Sequence, residues 1–202
     1  MIAIVDYGMG NVKSVLNALK LIGVPATLTA DPHDLERSTH LILPGVGAFP
    51  DGMQALSERG LIPLLSREIQ EKRKPFLGIC LGMQLLADHG EEGGSTQGLG
   101  WIAGKVRRLR VGSERLPHIG WNNVAFGENP LLSNITDPTF YFVHSYVFVP
   151  AERHAVIGTC EYGETFAAIL QQGNVFGTQF HPEKSQKSGL ALLKNFASLT
   201  VC

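Results

Sequence analysis

Pro75-Phe-Leu-Gly-Ile-Cys-Leu-Gly-Met-Gln84 is the stretch that decides how this chain folds. Residues 76–79 form a short apolar run of the buried-strand kind, and a helix is predicted to begin at Cys80. The turn between them is Gly78-Ile-Cys-Leu-Gly82, so a thiol stands on a tight strand-to-helix corner. Glycines on both sides let strand and helix close together, which is the geometry of a nucleophile elbow. The first N–H groups of a helix are unpaired and carry partial positive charge, which favours thiolate over thiol. Free cysteine is also a common small hydrophobe of protein cores. The corner therefore counts as a site only if a base can be found elsewhere in the chain.

Working outward, the first half alternates strands with helical stripes. Strands are predicted at 2–5, 26–29, 40–43 and 76–79, and helices at 11–22, 53–59 and 61–72. Val12, Val15, Leu16, Leu19 and Ile22 make the first apolar stripe. Such alternation indicates an α/β chain with a mainly parallel sheet covered by helices on both faces. After Trp101 the strands crowd together, at 104–110, 122–126, 140–149, 155–161, 166–171 and 175–180. These read as antiparallel additions to the same sheet, and a helix at 185–199 closes a single domain spanning 1–202. Residues 90–100 are glycine-rich and are expected to form a mobile loop.

The 202 residues suffice for a substantial core, and the net charge of −1 with no basic run argues against a nucleic-acid partner. Cys80, Cys160 and Cys202 have no paired spacing, which suits a reducing compartment. Residues 1–6 lack a basic flank and read as a first strand, not a signal peptide. No apolar run reaches the ~18 residues of a membrane span. The expectation is a cytoplasmic protein with no membrane partner, no metal site and no cofactor.

Seven histidines compete to be the base. His33, His40, His89 and His154 sit in turn-like or polar contexts and read as surface residues, whereas His118 and His144 are undecided between core and site. His181 follows a strand, is fixed by Pro182, and has Glu183 two positions on. Residues two apart in an extended chain project to one side, so the carboxylate can hold the imidazole and leave its other nitrogen free for a thiol. A polar pair at a strand end would look the same. Cys80 and His181 both end strands on the side where open α/β sheets carry their sites, which favours a catalytic triad. Pro44-Gly-Val-Gly47 follows another strand and offers backbone N–H groups for an oxyanion, beside the amide of Leu81. A glycine-rich turn reorients a peptide plane at small cost, so these donors need not be aligned at rest. Gly8-Met-Gly10 after the first strand imitates a dinucleotide fingerprint, with Asp31 as its acid. Lys13 stands where the third glycine belongs and would crowd the helix–sheet contact, which weakens a nucleotide-binding reading.

Three motifs in this order, Pro44-Gly-Val-Gly47, Gly78-Ile-Cys-Leu-Gly-Met-Gln84 and Gln179-Phe-His-Pro-Glu183, resemble the class I (triad) glutamine amidotransferases. Ile4-Val-Asp-Tyr-Gly-Met-Gly-Asn11, Leu116-Pro-His-Ile-Gly-Trp-Asn122, Tyr141-Phe-Val-His-Ser-Tyr146 and His181-Pro-Glu-Lys-Ser185 resemble the branch serving histidine biosynthesis. The branch serving pyridoxal phosphate synthase is the alternative, and a non-catalytic or nucleotide-binding α/β module a distant one. The resemblance implies a three-layer flavodoxin-like fold, and a nucleophile Cys80, base His181 and orienting acid Glu183. It implies an oxyanion hole from Val46, Gly47 and Leu81, and glutamine-binding groups at Gln84, Glu92, Ser145 and Tyr146, with Glu91 the rival to Glu92. It implies that glutamine is hydrolysed to glutamate and ammonia through a cysteine thioester. The ammonia would pass to a (β/α)8-barrel cyclase subunit in a heterodimer, for making imidazole glycerol phosphate and aminoimidazole carboxamide ribotide. Gly8, Gly10, Asn11, Trp121 and Lys184 would face that partner.

Overall fold

The computed structural model describes residues 1–200, so Cys202 lies outside the described residues. The parallel half contains β1 (Ile2–Val5), α1 (Val12–Leu21), β2 (Ala26–Thr29), α2 (Pro32–Arg37), β3 (His40–Gly45), α3 (Phe49–Glu58), α4 (Leu61–Ser66), β4 (Phe76–Cys80) and α5 (Leu81–Gln84). Short strands β5 (His89–Gly90) and β6 (Thr96–Gln97) follow, then β7 (Gly104–Arg108), β8 (His118–Phe126), β9 (Thr139–His144) and β10 (Tyr146–Pro150). The chain continues through β11 (Val156–Tyr162), β12 (Glu164–Gln172), β13 (Val175–Thr178) and α6 (Gln186–Ala197).

Nine strands form one mixed sheet in the order β2-β1-β3-β4-β13-β12-β11-β8-β9. The first five pair in parallel, the 2-1-3-4-5 order of a flavodoxin-like fold, and the last four run antiparallel beside them. The sheet is therefore more evenly mixed than the predicted one. A second, four-stranded sheet, β10-β7-β5-β6, stands apart from it.

Strand alternation builds the layers. Ala3, Val5, Leu41, Leu43 and Phe76 face α3, α4 and α5, while Ile2, Ile4, Ile42, Leu77 and Ile79 face α1 and α6. Each fully buried Leu or Ile contributes about 1.5–3 kcal/mol, so both faces of the central strands hold the sheet inside the molecule.

Several predicted boundaries move, each for a local reason. Residues 140–149 are two strands in two sheets, broken at Ser145, because Leu109 N–H takes the Ser145 carbonyl and pulls β10 onto β7. Helix α2 went unpredicted, although Asp31 caps it through the His33 amide (2.8 Å) and Pro32 starts it. The helix predicted over 61–72 changes at Arg67 into a π-helical stretch ending at Glu71. Its Glu68 is fully buried and meets Lys72 and Lys74 at 2.7 Å each. The 90–100 segment is not loosely attached: Gly98, Leu99 and Gly100 donate to Asp88, Leu85 and Ala87 carbonyls at 2.8–2.9 Å. His40, expected at the surface, is buried with its Nε2 2.8 Å from the Leu199 carbonyl.

The corner at Cys80 depends on missing side chains. A methyl group on Gly82 would overlap the Leu43 carbonyl oxygen, and one on Gly78 would lie 2.5 Å from the Gly82 carbonyl oxygen. Alanine for glycine in a helix ordinarily stabilises by about 1 kcal/mol. Here Gly82→Ala is expected to do the reverse, costing about 1–3 kcal/mol, because β3 and β4 cannot part without breaking their pairing. Urea unfolding with an unchanged m-value checks the sign.

Candidate active site

Cys80 adopts φ 54°, ψ −107°, a conformation that a side-chain-bearing residue rarely takes. It holds the thiol out of the sheet plane at the C-terminal end of β4, between β3 and β13. Helix α5 is only four residues long. The expected electrostatic help for a thiolate therefore comes from a few unpaired N–H groups, not from a developed helix dipole.

The chain leaves β13 at Thr178 and places Gln179 and His181 beside the corner. The His181 backbone is fixed, since its N–H donates to the Tyr141 carbonyl and its carbonyl accepts from Ser185 Oγ. His181 Nδ1 lies 2.9 Å from Glu183 Oε1, and both side chains are 2% exposed. The Glu183 carboxylate makes Nδ1 the protonated nitrogen, and Nε2 has no hydrogen-bond partner among the described residues. Burial opposes a charge on this ring, but the Cys80 sulfur and then Glu183 outweigh it and raise its pKa to about 10. Both neighbours therefore favour the charged form of the ring.

A cavity of about 280 Å³ opens at Cys80, lined by Val46, Gly47, Leu81, Gln84, Glu92, Ser145 and Tyr146 among others. Every residue proposed for the oxyanion and for glutamine thus lies on one wall system with the nucleophile. The volume suits a ligand smaller than a drug-sized molecule. Glu92, not Glu91, faces this space: its Oε2 accepts the Phe49 amide at 2.8 Å, whereas Glu91 pairs outward with Lys105.

Gln179 had no role in the sequence reading. Its amide Nε2 approaches the Cys80 sulfur at 3.7 Å, and its Oε1 accepts from Gln84 Nε2 at 3.1 Å. The available signal was spacing, because Gln179 stands two positions before His181 and so points to the same side. Gln84 also donates to the Tyr146 carbonyl at 3.0 Å. Both of its N–H groups are spent, leaving its oxygen to accept from a ligand.

Of the two undecided histidines, His144 lines the cavity and His118 backs it. His144 Nδ1 is 3.0 Å from the Tyr146 carbonyl, so that nitrogen must donate and Nε2 must accept. His118 Nδ1, 3.0 Å from His144 Nε2, is then the donor, and its Nε2 accepts from Asn122 Nδ2 at 3.3 Å. One directional chain runs from Asn122 through two neutral imidazoles to the Tyr146 carbonyl. Burial pushes the pKa of His118 down to about 4 and that of His144 to about 3.

Among the proposed partner-facing residues, Gly8 and Asn11 are exposed, and Gly10 packs beside the Gly45 backbone. A Cβ on Gly10 would lie 3.2 Å from Gly45 Cα, so the second glycine of the mimicked fingerprint serves this close approach. Trp121 is 46% exposed and meets Tyr141 edge-on at 5.7 Å, and Lys184 Nζ lies 5.9 Å from the same ring.

The paired histidines set a pH dependence. Their folded pKa values lie below the unfolded ~6.5, so the unfolded chain binds more protons as pH falls. Their contribution is complete above about pH 6.5 and is lost on descending toward pH 4. Urea unfolding at pH 7 and pH 5 is expected to show that loss. His118→Leu is expected to remove about 1.4 kcal/mol per pH unit from the slope.

Residues 3–199 match the family model described as glutamine amidotransferase class-I. The chain is 51% identical to imidazole glycerol phosphate synthase subunit HisH of Moorella thermoacetica, covering 98% of this chain and 94% of that one. It is 48% identical to subunit HisH 2 of Pseudomonas aeruginosa, covering 98% and 100%. Its fold is similar to a crystal structure of a glutamine amidotransferase (TM-score 0.77, 20% identity, 98% and 99% covered). It is also similar to the PurLQS structure from Thermotoga maritima (TM-score 0.74, 21% identity, 96% of each covered). The family model spans nearly the whole chain and these relatives are 48–51% identical over 98% of it, so the chain belongs to the class-I glutamine amidotransferases.

Proposed function

We propose that this chain is the glutaminase subunit of an imidazole glycerol phosphate synthase, acting in histidine biosynthesis in the cytoplasm as one domain. The observation that carries the reading is Cys80 in the wall of a cavity of about 280 Å³, with the buried His181–Glu183 pair close to its sulfur. The near-full-length likeness to subunits of that name supplies the pathway.

The chemistry follows from the geometry. Cys80 Sγ attacks the side-chain carboxamide carbon of glutamine, and the C=O electrons move onto oxygen. Amides of Val46, Gly47 and Leu81 serve that oxyanion, a type of contact worth about 10²–10³ in rate per donor. Imidazolium His181 gives its proton to the departing nitrogen, ammonia leaves, and a γ-glutamyl thioester remains. His181, now neutral, takes a proton from water, whose oxygen attacks the thioester and releases glutamate. Glu183 stays ionised throughout and keeps the ring in the required tautomer.

Substrate recognition divides between charges and the fixed backbone. Glu92 Oε1 is free for the α-ammonium, since Oε2 is held by Phe49, and Gln84 Oε1 is a further acceptor. The Ser145 and Tyr146 carbonyls are already used within the chain, so the N–H groups and the Ser145 hydroxyl are what this segment offers a carboxylate.

The ammonia is delivered to a (β/α)8-barrel cyclase in a heterodimer. Val46, Ile119 and Trp121 are apolar and 41–58% exposed, the composition of a protein-binding face beside the site. Asn11, Gly8, Gly10 and Lys184 complete that face.

Cys80→Ala is expected to abolish glutamine-dependent turnover by the complex with its cyclase, while ammonia-dependent turnover stays within about twofold. Steady-state assays with each nitrogen donor measure this. Residual glutamine hydrolysis by the variant would defeat the mechanism.

A further inference from the structure

Tyr7 stands two residues past the end of β1 and takes no part in the chemistry above. Its side chain is 0% exposed, and its hydroxyl has no hydrogen-bond partner among the described residues. A buried tyrosine normally finds one, and phenylalanine would fill the same space without an unmet donor.

The surroundings of this hydroxyl are specific. A side chain on Gly45 would overlap it, and the same position lies 2.9 Å from Leu81 Cβ and 3.1 Å from the Gly82 amide nitrogen. The phenol is therefore wedged between the Gly45–Val46–Gly47 turn and the start of α5. Gly45 is itself the register partner of Cys80. Burial first, and then the charge at Cys80, push ionisation of Tyr7 far up, so the group is a donor and never a base here.

The turn beside it is held at its ends and free in its middle. Pairing with β4 fixes Gly45, and Glu92 fixes the Phe49 amide. No hydrogen bond within the described residues engages the N–H of Val46 or Gly47. In a planar trans peptide the N–H and the preceding C=O point opposite ways. Aiming Val46 N–H at an oxyanion in the cavity therefore swings the Gly45 carbonyl away from the cavity, into the interior. A buried carbonyl needs a donor.

We propose that the Tyr7 hydroxyl is that donor, a positioning residue that receives the Gly45 carbonyl and holds the turn in its oxyanion-binding form. The idea rests on the glutaminase reading and adds to it a residue that never touches substrate.

Tyr7→Phe tests it in the complex with the cyclase. The melting temperature is expected to hold or to rise by a few degrees, roughly what removing an orphan donor gives a domain of this size. Glutamine-dependent kcat is expected to fall about 10–100-fold, less than the loss of a direct oxyanion donor, with KM within about twofold. Alkylation of Cys80 by iodoacetamide, which needs no oxyanion hole, is expected to keep its rate. Ammonia-dependent turnover should not change. A variant with unaltered kcat would make the hydroxyl a mere wedge and overturn the proposal. Equal losses in kcat and in alkylation would place its effect on the thiol and overturn it too. A wild-type complex that does not hydrolyse glutamine through Cys80 would remove the glutaminase reading itself, a different result from either.

Discussion

The backbone at Cys80 is the constraint around which the molecule is arranged. A residue with a side chain at φ 54°, ψ −107° costs about 1–3 kcal/mol, and it persists only where its surroundings leave no alternative. Here β4 is paired on both edges, by β3 and β13, and buried on both faces. Relaxing Cys80 would mean unzipping the centre of the sheet. Gly78 and Gly82 remove the side chains that would otherwise prevent the corner from closing. The antiparallel extension has a related task, since it brings Gln179 and His181 back along β13 to the sulfur.

The site separates its histidines by environment. His181 has a carboxylate on one side and a thiol on the other, and both favour the charged ring despite burial. His144 has a backbone carbonyl and another imidazole, which reward a donor but give no counter-charge, so it stays neutral. The ring placed to serve a leaving nitrogen is thereby the one whose surroundings favour a proton. The neutral pair instead fixes where the Tyr146 carbonyl points, and Gln84 reads that carbonyl together with Gln179. A continuous run of hydrogen bonds joins Asn122, adjacent to exposed Trp121, to the Cys80 sulfur through side chains from β8, β9, α5 and the segment after β13.

Local signals were enough for much of this. The glycine pair around Cys80 and the closeness of Glu183 to His181 act over a few residues, although Glu183 reaches the ring from a 3₁₀ turn over Pro182–Lys184 and not from the extended chain that period-2 spacing assumes. The parallel order of the first five strands follows from alternating runs and turns. What stayed hidden depends on distant partners. Nothing in Phe140 to Val149 announces a break at Ser145, because the break is made by Leu109, far away in sequence. His40 has a polar neighbourhood in sequence but is covered by the C-terminal segment through Leu199. The tautomers of His118 and His144 follow only once the Tyr146 carbonyl is known to face Nδ1. Residues 90–100 looked free because glycine suggests mobility, yet Gly98 and Gly100 bring backbone close enough to bond. A Cβ on Gly98 would overlap the Ala87 carbonyl oxygen.

Unmet hydrogen-bonding groups are costly, and their distribution here is uneven. Four buried side-chain polar atoms lack a partner among the described residues, on Tyr7, Glu68, His181 and Glu183. Glu68 is compensated by ammonium groups at 2.7 Å. The other three surround the strained cysteine, together with the idle amides of Val46 and Gly47. A fold under selection for stability alone would satisfy them or replace them with apolar groups, at a gain of about 1–3 kcal/mol each. Their concentration at one corner makes sense when a reacting substrate is counted as the missing partner. An oxyanion takes the amides, a thiolate or leaving nitrogen takes the imidazole proton, and the displaced Gly45 carbonyl takes the phenol. On that view the strain and the unmet donors are one feature: a backbone folded to suit a transition state more closely than it suits itself.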